Sequence, residues 1–156
     1  MRLAVATGWL ALWCFGAMLA CLPPSAPTAY VGVRLGLERH CDASLTAEGA
    51  RVAALARAQV SAQLTPGDPV HICIVRAASL GAPCTGLYGC SETRLIGGPR
   101  CYVAGLHVAW RATLVHEVLA ALAVAGRLRG WPTTEAAVIA DPRYKAAMSS
   151  ARKALP

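Results

Sequence analysis

The chain has 156 residues, of which 56% are hydrophobic and 15% charged. That balance excludes intrinsic disorder, and the length accommodates one domain behind a leader. The formal charge of +7 is scattered along the chain. It lacks the aromatic-interleaved basic stripe that tracks nucleic acid, so no nucleic-acid partner is expected. Weak attraction to anionic lipid head groups is a sufficient reading of the charge.

Residues 1–21 read as a signal peptide. Arg2 supplies a minimal positive start, residues 3–22 are uncharged and apolar, and Pro23-Pro24-Ser25-Ala26-Pro27 ends any helix. Residues 22–40 read as a Pro-rich tether and residues 41–156 as the folded domain. Within the leader, Met18-Leu19-Ala20-Cys21 resembles a bacterial lipobox. The resemblance implies lipid on Cys21 and a membrane-anchored place in the bacterial cell envelope, facing the periplasm or the exterior. An ordinary cleaved signal peptide is one alternative. An uncleaved anchor is another, because ~20 apolar residues just span a bilayer. All three put the domain outside the cytoplasm.

Seven cysteines fit an oxidising compartment. Cys14 lies in the leader and Cys21 would carry lipid. Cys41, Cys73, Cys84, Cys90 and Cys101 remain, most simply as two disulfides and one free thiol. Cys84 and Cys90 flank a short turn-rich loop that suits a local bridge. Cys41 with Cys73 would tie a helix start to a strand and leave Cys101 over. Sequence alone leaves the pairing open. No Cys-x-x-Cys pair points to a cysteine zinc site.

After the tether, Ser44 or Thr46 can cap a helix whose apolar positions include Leu45, Val52, Leu55, Val60 and Leu64. Thr65-Pro66-Gly67-Asp68-Pro69 ends it. Residues 70–75 read as a β-branched strand with Val70, Ile72 and Ile74 on one face and His71, Cys73 and Val75 on the other. Residues 77–91 read as a loop rich in Gly, Pro and Cys. Residues 93–96 and 100–103 look like two short strands joined by Gly97-Gly98-Pro99. From about Val108 to Ala125 the pattern is helical, with Gly126 as a natural terminator. Thr133 or Thr134 can cap a short helix over residues 135–140. Asp141-Pro142 opens a last, basic helix through residues 144–155, whose cations read as a solvated face.

The helix around residues 112–122 carries His116-Glu117 on an otherwise apolar run. The pair is half of His-Glu-x-x-His, in which two histidines one turn apart bind zinc and the glutamate is general base on the metal-bound water. Here the second histidine position is Ala120, which has no donor atom. Trp131-Pro132-Thr133-Thr134-Glu135 follows, with Glu135 19 residues beyond His116. Together with the order of elements over roughly residues 68–140, this resembles the core of the zincin metallopeptidases, in particular the gluzincins. The resemblance implies an α+β fold with a small zincin-like core. It implies His116 as first zinc ligand, Glu117 as base and Glu135 as third ligand. His71 could replace the missing ligand if its strand ran beside the cleft. Tyr102 and Tyr144 are oxyanion-stabiliser candidates by residue type alone.

With only two ligands the expected state is metal-free and non-catalytic, and without a cofactor. The strand over residues 70–75 and the His116 helix would then frame a groove for an extended peptide or protein ligand. One alternative is an active zinc-dependent hydrolase with an atypical third ligand. Another is an unrelated disulfide-stapled structural lipoprotein in which the His-Glu pair is chance. Side chains of His116 and Glu135 within a few ångströms of each other would favour shared ancestry.

Overall fold

The computed structural model describes residues 41–155 apart from 68, 83 and 93–97. The leader, the lipobox with Cys21, the tether, His40 and the strand expected over 93–96 lie outside these residues. The described fold is mixed α+β: a three-stranded sheet and four helices. Its elements are α1 (Ala43–Ala58), β1 (His71–Val75), β2 (Gly89–Glu92), β3 (Arg100–Ala104), α2 (Trp110–Val124), α3 (Glu135–Ala140) and α4 (Pro142–Ala154). None of these helices is long and apolar enough to cross a membrane.

α1 starts two residues earlier than a Ser44 cap would place it. The N-cap is Asp42, whose carboxylate accepts from the Leu45 N–H at 2.9 Å and pairs with Arg76 at 2.7 Å. Ser44 donates to that same carboxylate, and the Thr46 hydroxyl accepts from the Ile74 N–H instead. Asp42 N–H donates to the Ile74 carbonyl, and the Cys41–Cys73 disulfide crosses beside it. The start of α1 therefore covers the outer edge of β1 at Ile74 and Val75, which shortens the edge open to a ligand strand.

The strand order is β1-β3-β2, with β1 parallel and β2 antiparallel to the central β3. β2 lies inside the segment whose composition reads as loop. Gly and Glu are depleted in strands and no β-branched or aromatic residue is present, so the strand exists through its tertiary partners. It pairs with β3 from Gly89↔Val103 to Glu92↔Arg100, and the Cys84–Cys90 disulfide ties it to the loop before it. Cys101 on β3 is the free, buried thiol.

The period-2 alternation of the strands splits the core in two. Ile74, Cys101 and Val103 face the helices and pack with Val52, Ala56, Leu114, Val118 and Leu119. Cys73, Val75, Cys90, Tyr102 and Ala104 face the other way, against Leu80 and Cys84 of the disulfide loop. α2 is the hub of the helical side. Ten of its fifteen residues are buried, as expected of a helix that is apolar nearly all round.

α2 ends at Gly126, whose φ is +69°. The Arg127 N–H donates to the Leu122 carbonyl at 2.8 Å, closing the helix end. A Cβ at Gly126 would meet nothing within 4 Å. Gly126→Ala therefore isolates the backbone cost of the left-handed conformation. We expect a loss of about 1 kcal/mol in urea unfolding with an unchanged m-value.

Candidate functional site

α2 projects His116 and Glu117 from its middle, and three elements close around them. α3 supplies Glu135, α4 supplies Tyr144 and Arg152, and β2 supplies Gly89 and Ser91. His116 Nε2 stands 3.7 Å from Glu135 Oε1 and 4.0 Å from Glu117 Oε1. Its Nδ1 lies 2.6 Å from the Tyr144 hydroxyl. Both atoms facing Nε2 are carboxyl oxygens, so the neutral ring carries its proton there and Tyr144 donates to Nδ1.

Glu135 owes its place to the short α3, which opens at Thr134 and holds Glu135 in its first turn. That is a favourable end for a carboxylate. Tyr144 is placed by α4, where Asp141 caps the helix by accepting from the Arg143 N–H at 2.8 Å and Pro142 occupies the first turn. Arg143 also lies 5.4 Å over the ring of Trp131, tying the turn before α3 to α4.

Gly89 explains how β2 approaches the motif. A Cβ there would stand 2.6 Å from Thr113 Cγ2 and 2.7 Å from Glu117 Oε1. Only a residue without a side chain lets the strand lie against the Glu117 carboxyl. Two positions on, the Ser91 side chain hydrogen-bonds Glu117.

The electrostatics follow from enclosure. Glu117 is 7% exposed. Burial, aided by the nearby Glu135 charge, pushes its carboxyl up to about 8 against the Ser91 hydrogen bond. Glu117 is therefore mostly protonated at neutral pH, which makes it a poor base in the metal-free protein. Burial also holds His116 below its ordinary value. Glu135 pulls it back up in part, and Arg152 pushes it down. Tyr144 is raised, first by burial. Burial lifts the Cys101 thiol well above its usual range, with Glu117 adding to the effect, so Cys101 is not an active nucleophile.

The structure brings together three of the residues singled out by the zincin resemblance, His116, Glu117 and Glu135, and adds Tyr144. It does not bring in His71 or Tyr102. His71 is exposed at the start of β1, in register with Arg100, and β3 stands between its strand and β2. Tyr102 belongs to the opposite face of the sheet, among Cys73, Cys84 and Cys90. His107 stacks on Tyr88 at 3.8 Å. The edge strand beside the His116 helix is β2, not the strand of residues 70–75, so the groove expected from sequence has a different wall. Gly89, Ser91 and Arg152 were not legible as site residues. Ser91 and Gly89 sit in a segment that reads as loop, and Arg152 reads as a solvent-facing cation.

As a zinc centre the donor set falls short. His116 Nε2 and Glu135 offer two ligands, Ala120 offers none, and catalytic zinc takes three protein ligands and water. Among the described residues no three His, Cys, Asp or Glu side chains form a metal-holding group. Arg152, close enough to depress His116, adds a cation where a metal would need anions.

No family model, curated protein or solved structure matches this chain.

The Tyr144 hydroxyl gives a direct check on the geometry. Tyr144→Phe should cost about 1 kcal/mol in chemical denaturation, since it leaves a half-buried ring nitrogen without its donor. It should also change the tautomer balance of His116, read from ring nitrogen chemical shifts. An unchanged tautomer would mean that Tyr144 does not set the ring.

Proposed function

We propose that this is a metallopeptidase-like protein of the bacterial envelope, lipid-anchored at Cys21, that does not hydrolyse and instead binds an extended peptide along β2. The observation that carries the reading is the pairing of His116 with Glu135 at 3.7 Å across α2 and α3, with Ala120 where a second ligand would stand. A zincin-like site that lost one histidine would leave this arrangement: two ligand-type side chains in contact, and a general base held neutral.

The binding mode is supported by β2. Antiparallel pairs alternate between bonded and non-bonded positions. The Ala104 N–H donates to the Tyr88 carbonyl at 2.9 Å. In register, Cys90 and Glu92 bond to β3, while Gly89 and Ser91 turn their N–H and C=O groups outward. Among the described residues these outward groups take no backbone partner. Both residues are partly exposed. β2 is thus an edge that a peptide can extend, beside His116 and Glu117.

A panel of random extended heptapeptides screened against chelator-treated full-length protein tests this. Peptides that bind should lose at least about tenfold in affinity when alternate amides facing the protein are N-methylated, because each lost edge bond is worth about that factor. Zinc should neither bind near one equivalent nor produce cleavage. Metal-dependent cleavage lost in both His116→Ala and Glu135→Ala would establish the active-hydrolase alternative instead. Binding indifferent to N-methylation would remove strand addition.

A further inference from the structure

Most large hydrophobic side chains of the described residues are covered, and the exposed ones are concentrated. Val108 is 95% exposed, Leu106 60% and Tyr88 50%; the fourth, Ile139, is elsewhere on α3. The first three form one tip. Tyr88 precedes β2 and stacks on His107, while Leu106 and Val108 flank that same histidine in the β3–α2 turn. The turn is not loose. The Gly105 N–H donates to the Val75 carbonyl at 2.7 Å, the Leu106 N–H to the Ala77 carbonyl at 3.0 Å and the Trp110 N–H to the His107 carbonyl at 3.0 Å. A backbone held this firmly is presenting apolar side chains to a surrounding that has to be identified.

Where the chain enters the domain identifies it. Cys41 bridges to Val75, the same residue that holds Gly105. The described chain therefore begins at the end of the sheet that carries the tip. The uncharged residues 3–21 lie before that entry point, joined to it by the Pro-rich tether, residues 22–40, that spans at most about 65 Å. Anything residues 1–21 hold, the tip can reach. Asp42, next to the Cys41–Val75 bridge, is paired with Arg76 at 2.7 Å, and Arg111 in the first turn of α2 with Glu48. The tip is neutral as well as apolar.

We infer that the Tyr88–Leu106–Val108 tip inserts into the interface of the phospholipid bilayer that holds the N-terminus, docking the domain with its sheet end toward the membrane. This rests on the membrane-anchored reading above. Three side chains would bind a bilayer weakly on their own. Tethering makes the contact intramolecular, at an effective concentration in the millimolar range. An amphipathic Tyr with Leu and Val beside it suits the interface region. Because the tip carries no net charge, its insertion is independent of anionic lipid. A contact made instead by the basic α4 would depend on it.

The test uses full-length chain reconstituted into vesicles, with a benzophenone amino acid at position 108. A control carries it at exposed Ala62, beside the far end of α2, about 22 Å away along that helix. Flotation reports the anchor, and mass spectrometry of photo-adducts reports the tip. We expect the protein to float. Lipid adducts at 108 should exceed those at 62 by at least about tenfold, equally in pure phosphatidylcholine and in vesicles containing phosphatidylglycerol. Adding Leu106→Asp should reduce the adducts at 108 severalfold without changing flotation. Protein that floats but yields no excess of lipid adducts at 108, or yields adducts to protein only, overturns the docking while leaving the anchor standing. Protein that does not float overturns the anchor and the docking with it.

Discussion

Glu117→Gln should raise the stability of the chelator-treated protein at pH 9 and leave it nearly unchanged at pH 5. The Glu117 carboxyl sits at about 8 in the folded protein against an ordinary value of 4.5. Between those values the folded state holds a proton that the unfolded chain has released. Stability therefore falls as pH rises through this window, is undiminished below about 4.5, and reaches its floor above about 8. By linkage the loss is roughly 5 kcal/mol across the window. Glutamine keeps the size of the neutral acid and a hydrogen-bonding partner for Ser91 but cannot ionise, so the variant escapes the loss. His116 acts in the opposite direction. Its lowered value makes stability rise with pH up to its ordinary value of 6.5, so the clean comparison is made above pH 7. Thermal or urea unfolding of both proteins at pH 5, 7 and 9 measures the effect. Equal stabilities at pH 9 would mean that Glu117 ionises freely and that β2 does not seal it.

Much of the helical frame was legible because local rules and tertiary demand agree there. The terminator role of Gly126 depends only on its missing side chain, and the six-residue separation around a turn made the Cys84–Cys90 bridge plausible without fixing it. The face division of β1 follows from alternation alone. The misses lie where distant partners decide. Asp42 takes the cap because distant partners engage its rivals and itself: Arg76 holds the Asp42 carboxylate, Ile74 N–H occupies the Thr46 hydroxyl, and Ser44 donates to Asp42. β2 has almost no intrinsic strand preference and exists because β3 and a disulfide hold it. The sheet order β1-β3-β2 is invisible in chain order, and it determines which strand lines the His116 helix. Within the site, the His116–Glu117 pair and Glu135 were visible as residue types at a spacing. The Tyr144 contact, 28 residues from His116, depends on how α4 packs back and has no local signature.

Ala120→His should convert the site into one that binds zinc. Positions 116 and 120 are one helical turn apart and share a face, and the His116–Glu135 contact at 3.7 Å already places two donors together. An imidazole at 120 would supply the third. Ala120 is 3% exposed, so the larger side chain should first destabilise the metal-free protein by about 1–3 kcal/mol through overpacking. Zinc at a thousandfold excess over its dissociation constant would then return about 4 kcal/mol, since it binds the folded state alone. The parent protein should show no comparable gain at the same zinc concentration. Adding Glu135→Gln to the variant should abolish most of the zinc effect while leaving the overpacking penalty. Glu117 would respond too, because a cation near His116 Nε2 favours its ionised form and restores its competence as a base. Thermal unfolding with and without zinc reads all of these at once. If zinc fails to stabilise the Ala120→His protein while that protein still folds, the His116–Glu135 contact is an ordinary polar pair in a helical core, and the metallopeptidase ancestry loses its main support. If zinc does stabilise it, one residue separates this domain from a metal centre.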